Sequence, residues 1–326
     1  MKFKRLLPLI GLIILIFIIS TLDFNEIFRI FTNINPIYIL LSFFAFFPLF
    51  LLVTFEWQLL LKSQKINVSF WYSIKNFLIG YFFGFITPGG FGAYTRSLYL
   101  SEESGAPLPK CFSNIITFNT IEFLSMLSAG FVGAIFLSSV YPYLFLIILF
   151  VFLVVLILYL FFFKSASSRH LFKKIVQCRI FAGMRDKLET SIESFHEDLP
   201  GFRDVILPFI LAIGGRFLKF TMLFFIARLF EINIPFQYFI LIMVVADVIA
   251  SIPISIYGIG TREAALITMF SFPQLTNGVF VIPEQIISFS LFWFVIFWLT
   301  PSVIGAFFTF YESNFRHNKK NDKKYN

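Results

Sequence analysis

Cysteine and histidine are scarce in this chain, with 2 and 3 residues among 326. Cys111 stands at the start of an apolar segment and Cys178 in a basic loop, and the scattered histidines complete no zinc spacing with them. Neither a disulfide framework nor a metal centre is expected. Charge is also thin, at 13% of residues, and no Gly-x-x-x-x-Gly-Lys-Ser/Thr loop, nucleophile elbow or metalloprotease motif occurs. Gly90-Phe91-Gly92 follows no strand pattern, so it is not a dinucleotide fingerprint. These absences leave catalysis by familiar means without support, and no catalytic residue or cofactor is assigned.

What is abundant is apolar: 58% of residues, including 51 phenylalanines, with a mean hydropathy of +0.86. One water-soluble core cannot hide that much surface, so a bilayer has to take it. Apolar runs fall at about 6–22, 36–61, 71–87, 112–137, 143–163, 204–230, 236–257, 262–282 and 285–310, and several reach the roughly 20 residues that cross a hydrocarbon core. The first follows Lys2–Arg5 and lacks small residues at a cleavage site, which reads as an uncleaved span. The fold class expected is an all-α polytopic membrane protein.

The formal charge of +8 does not indicate nucleic acid, because nineteen of the 26 Lys and Arg sit at the ends and loops of apolar runs, in 1–5, 62–75, 164–203 and 316–324. The positive-inside rule accounts for them. It places both termini in the cytoplasm of a cell-membrane protein, with a single transmembrane domain over 1–313, a cytoplasmic loop at 164–203 and a basic tail at 314–326. Within that loop the spacing of Ile180, Met184, Leu188, Ile192 and Phe195 predicts a surface helix, either a plain linker or a platform for anionic headgroups or a partner.

Two stretches do not behave as simple spans. Thr87-Pro88-Gly89-Gly90-Phe91-Gly92-Ala93-Tyr94-Thr95-Arg96 and Pro253-Ile254-Ser255-Ile256-Tyr257-Gly258-Ile259-Gly260-Thr261-Arg262-Glu263 each interrupt an apolar run with a Gly-x-Gly core and an arginine opening a second helix. Segments 36–61, 71–104 and 112–137 match 204–230, 236–282 and 285–310, and charge counting starts the two units in opposite directions. The expectation is an inverted repeat with about six to eight full spans, its two broken hairpins either re-entrant or crossing fully. Broken helices in a bilayer mark a cavity wall, and a helix N-terminus with glycines and an arginine suits an anionic group. Arg262, Glu263, Gly258, Gly260, Arg96, Gly90, Gly92 and Pro88 are therefore the expected substrate-binding residues, the other reading being that both arginines anchor helix ends in the headgroup zone. Glu122 and Asp247 are embedded carboxylates that either couple proton movement or pair with Arg96 or Arg262. Glu56, Lys219 and Arg228 fall near estimated span ends and read as snorkelling residues.

At these motifs the sequence resembles the transmembrane region of lysylphosphatidylglycerol synthases, a flippase-like family that also occurs as stand-alone membrane proteins. The resemblance is carried by Thr87–Gly92 with Arg96, and more specifically by Pro253–Leu266. It implies a domain that moves modified phospholipids or glycolipid carriers between leaflets. The synthases' soluble aminoacyl-transfer domain has no counterpart before Asn326, so lysyl transfer is not carried over. The family usually has glutamate where this chain has Ala93 and two adjacent glycines where it has Tyr257-Gly258. Membrane lipids are the expected partners. The alternative function is a non-transporting accessory subunit for a lipid-modifying or glycolipid-processing enzyme, docked through the 164–203 loop.

Overall fold

A computed structural model describes residues 15–18, 20–136, 138, 142–161, 185–252, 255 and 257–311. Most of the first apolar run, the tail at 314–326, and Ile180 and Met184 lie outside the described residues. Every ordered element among the described residues is helical, as the composition requires.

Local signals set the helix starts. Helix α1 (Phe24–Asn33) begins where Asp23 accepts the N–H of Asn25, and α2 (Pro36–Ser63) where Asn35 accepts the N–H of Ile37 and Pro36 fixes the first turn. Ser69 caps α3 (Phe70–Phe85) in the same way. A 3-10 helix over Pro88–Thr95 then leads straight into α4 (Arg96–Ser104), which ends at Gly105 with φ +71°. Helices α5 (Leu108–Phe136) and α6 (Pro142–Tyr159) follow, then α7 (Arg185–Phe195) in the basic loop. The second half comprises α8 (Phe202–Leu229), α9 (Phe236–Ala250), α10 (Thr261–Phe270), the short α11 (Pro273–Thr276) and α12 (Pro283–Phe294). A π turn at Val295–Leu299 joins α12 to a continuing helix that reaches Tyr311.

Pro36–Ser63, Leu108–Val132, Phe202–Leu229 and Pro283–Tyr311 are long and apolar enough to cross a membrane, and Phe145–Tyr159 and Phe236–Ala250 are shorter apolar helices. By contrast α4 and α10 have 9 and 10 residues. At 1.5 Å per residue each covers only about 15 Å, half the hydrocarbon thickness, so neither crosses alone.

The packing follows the duplication seen in the sequence. Helix α2 runs along α8, α3 packs on α2 as α9 packs on α8, α4 packs on α5 as α10 packs on α12, and α5 lies against α8 as the π turn lies against α2. Aromatic residues divide by face: Phe46, Phe50 and Trp57 of α2 turn inward, whereas Phe44, Phe47 and Phe55 stay exposed on the side that lipid covers.

Close backbone approach explains two glycines. A Cβ on Gly92 would stand 2.0 Å from the carbonyl oxygen of Phe83, and one on Gly305 would stand 1.9 Å from that of Leu78. Backbone cannot swing aside as a side-chain tip can. Gly92→Ala is expected to cost about 1–3 kcal/mol through forced separation of the hairpin, read as a lower midpoint in thermal unfolding of the detergent-purified protein.

Helix α7 packs back on α5. Leu188, Ile192 and Phe195 face Phe91, Leu98 and Phe112 across an apolar cavity of about 670 Å³, so its apolar side covers the first motif. Its end is clamped where Lys65 and Lys110 donate to Asp198 at 2.7 and 2.8 Å. The hydrogen bonds from Lys110 and then Lys65 hold the Asp198 carboxyl below the usual carboxylate range. A depressed folded value means the clamp is fully present above the unfolded value of about 3.9 and is lost as pH falls through the folded value. Hydrogen exchange across α7 should rise below that pH, and Asp198→Asn should raise it already at neutral pH.

Candidate functional site

The four spans and the two broken hairpins enclose a central cavity of about 400 Å³, within the range of small-molecule sites. Its walls are mostly apolar: Phe46, Leu49, Phe50 and Val53 of α2, Phe77 of α3, Phe123 and Met126 of α5, and Phe297 and Trp298 of the π turn. The π turn shifts the register of the last span so that these two rings face inward, a use of π bulges common at functional sites.

Four charged side chains converge on this apolar chamber. Arg216 and Lys219 stand three residues apart on α8, which puts both on one face. Glu122 comes from the middle of α5 and Asp247 from the last turn of α9. Arg216 Nη2 donates to both the carboxylate and the backbone carbonyl of Glu122, and its Nη1 stands 3.9 Å from Asp247. Lys219 Nζ reaches Asp247 at 3.0 Å. Two cations against two carboxylates make the set neutral, which hydrocarbon surroundings demand of a buried cluster. The side chains keep 12%, 13%, 23% and 13% exposure for Arg216, Lys219, Glu122 and Asp247, so all four reach the chamber.

The motif arginines are placed differently. The side chains of Arg262 and Glu263 are each 1% exposed. Arg262 donates to Glu263 Oε1 from Nη2 at 2.6 Å and from Nε at 3.1 Å, reaches Ser290 Oγ on α12, and lies over the Trp293 ring at 4.5 Å. Glu263 Oε2 accepts the N–H of Gly260 at 2.6 Å, so the positive end of α10 is met by the chain's own carboxylate. The first motif offers no open helix end either. Gly92 N donates to Thr87 Oγ1, Gly90 N donates to Thr87 O, and the 3-10 helix runs on into α4. Arg96 is caged by the rings of Phe77, Trp57 and Phe118 at 4.3–5.4 Å, packs across Gly80, and has no ion pair among the described residues.

The expectation that Glu122 and Asp247 pair with Arg96 or Arg262 is corrected by this geometry, since their partners are Arg216 and Lys219. The reason is that Arg262 is already paired with its neighbouring carboxylate, while Arg96 is packed among aromatic rings away from both carboxylates, its Nε without a hydrogen-bond partner among the described residues. Lys219 is likewise no span-end residue. Sequence reading passed over Arg216 and set aside Lys219 and Glu56; the available signal was a pair of cations one turn apart at the centre of a 28-residue span.

The motifs shape the chamber. Gly258 and Gly260 adopt φ +78° and +84°, and Gly90 +71°. Tyr257 also has a positive φ, +47°, a conformation that glycine adopts without strain and tyrosine does not. Its ring stacks on Trp298 with centroids 4.2 Å apart, lies against Gly90, and sends its hydroxyl to the carbonyl of Tyr81 and into the space beside Gly84. The second motif thereby touches the first, and Ser255 and Tyr257 of the second line the cavity. Pro88 opens the 3-10 helix of the first motif, while Pro253, Ile254 and Ile256 lie outside the described residues.

An all-helical bundle with four long apolar spans and broken hairpins around a charged chamber defines a multi-pass membrane protein. The family model of the lysylphosphatidylglycerol synthase transmembrane region matches residues 6–305, and the chain belongs to that family. It is also 22% identical to a UPF0104 membrane protein of Methanocaldococcus jannaschii, over 93% of each chain.

Proposed function

We propose that this protein moves lipids with anionic headgroups between the leaflets of the cell membrane. The observation that carries the reading is the pair Arg216 and Lys219, set with Glu122 and Asp247 on the wall of a mostly apolar chamber of about 400 Å³. Cations offered there fit a phosphate, and the aromatic walls tolerate the glycerol and upper chain of the same lipid. Arg262, Glu263, Gly258 and Gly260, with Arg96, Gly90, Gly92 and Pro88, hold the helix breaks that frame the chamber, so they serve the headgroup through the backbone they fix. The reading needs no chemistry on the lipid, and the protein acts as a transporter rather than an enzyme, with both termini in the cytoplasm. The accessory-subunit alternative loses ground because the described apolar face of α7 is turned inward onto the first motif rather than outward to a partner.

The test is leaflet exchange of fluorescent phosphatidylglycerol and phosphatidylcholine in liposomes carrying the purified protein. Exchange of the anionic lipid above that in empty liposomes is the expected result. Folded protein that exchanges neither lipid, with and without an imposed proton gradient, would overturn transport in favour of the accessory role.

A further inference from the structure

The cavity between α7 and the first motif shares no described lining residue with the central chamber. Phe91, Leu98, Leu108 and Phe112 form one wall, with Ile192 and Phe195 of α7 opposite. At about 670 Å³ it far exceeds the gaps that packed side chains leave, and an apolar space of that size takes an apolar ligand. The four residues of the first wall also keep exposed surface, so the cavity opens to what surrounds the protein. Helix α5 sets its depth: Leu108 and Phe112 stand at the start of the apolar span Leu108–Val132, where the helix enters hydrocarbon. Acyl chains are the apolar molecules at that level.

One end of the cavity is charged. His196 lines it, and two residues on, Asp198 takes both Lys65 and Lys110. The two cations differ in what they have left to offer. The Lys110 side chain is 7% exposed and its ammonium is held by Asp198 and Glu197, at 2.8 and 3.4 Å. Lys65 is 75% exposed, and Asp198 takes one of its three N–H donors. Lys62, in the last turn of α2, is exposed as well. Three lysines against two carboxylates leave this end with a net positive charge that a phosphate can meet without opening the clamp.

We propose that the cavity under α7 seats one acyl chain of an anionic phospholipid whose phosphate is held at Lys65, a binding site separate from the chamber. The seated chain completes the packing of α7 on the first motif, and the phosphate extends the ion pairs that clamp its end. A zwitterionic lipid offers the same chain but brings its own cation to a positive edge, so phosphatidylglycerol is preferred to phosphatidylcholine. The site does not depend on transport, since a lipid held here need not cross the membrane.

Photo-crosslinking of the purified full chain in phosphatidylcholine nanodiscs tests the site. A trace of phosphatidylglycerol or phosphatidylcholine carrying a diazirine in one acyl chain is added, and labelled peptides are located by mass spectrometry. The phosphatidylglycerol probe should label residues 108–112 and α7 as well as the lipid-facing side of α2 at Phe44 and Phe47. Excess unlabelled phosphatidylglycerol should suppress the first labelling and not the second. Lys65→Gln, with Lys110 still on Asp198, should lower cavity labelling by phosphatidylglycerol about fivefold and leave that by phosphatidylcholine unchanged. Leu98→Trp, which fills the cavity from α4, should abolish cavity labelling by both probes. Cavity labelling that competitor does not suppress, equal cavity labelling by the two probes, or cavity labelling undiminished in Leu98→Trp each overturns the proposal. None of these readouts involves leaflet exchange, so their failure leaves the transport reading standing, and failed exchange leaves this site standing.

Discussion

Arg216→Gln is expected to remove anionic lipid exchange and to be rescued in folding but not in function by a second change. The argument runs through Glu122. With Arg216 gone, a partly buried carboxylate in the middle of α5 loses the donor that contacts both its side chain and its carbonyl. Breaking a buried pair in this way costs about 3–5 kcal/mol, because the surviving charge is left unpaired. Arg216→Gln with Glu122→Gln removes both charges and should recover most of the lost thermal stability. Exchange should stay near the level of empty liposomes in the single and double variants, since neither offers the phosphate a guanidinium. Recovery of exchange in the double variant would show that Arg216 serves the fold and not the headgroup.

Arg262→Ala is expected to fail for a different reason. If Arg262 bound lipid directly, its loss would leave a folded, inactive protein. Its position predicts loss of the folded protein instead. Removing the guanidinium strips Glu263 of its counterion at 1% exposure, frees the Trp293 face, and leaves a cavity the size of a long side chain. The cost expected is again about 3–5 kcal/mol, measured as a lower yield of monodisperse protein and a lower unfolding midpoint. Arg262→Ala that remains as stable as the wild type while losing exchange would return Arg262 to the lipid site. Arg96→Ala separates the two motifs: with no carboxylate to orphan among the described residues, it should cost packing and cation–π contact alone, and so less than Arg262→Ala.

The architecture was legible because bilayer chemistry is written in composition and in runs. The four long spans fall on apolar segments, and the break positions fall on the Gly-x-Gly cores. Helix α4 opening at Arg96 was legible from the same pattern. The chamber was not, for a specific reason: an arginine next to glycines looks available, whereas satisfaction is a tertiary property. Nothing in Arg262-Glu263 as a string says that Glu263 caps Gly260 and that Ser290, 27 residues on, completes the lock. Conversely, Arg216 sits among ordinary apolar neighbours, and only the approach of α5 and α9 reveals what it faces.

The contact of Tyr257 with Gly84 and Gly90 also bears on how the two halves can move. The tyrosine hydroxyl fills a slot that exists only because Gly84 lacks a Cβ, since a Cβ there would stand 1.8 Å from it. The halves are therefore keyed to one another at the chamber rather than merely stacked. Any rocking of one hairpin past the other must first draw this key from its slot and part its ring from Trp298. Tyr257→Gly would remove this key and its stack on Trp298 while leaving the packing of Pro36–Ser63 on Phe202–Leu229 in place.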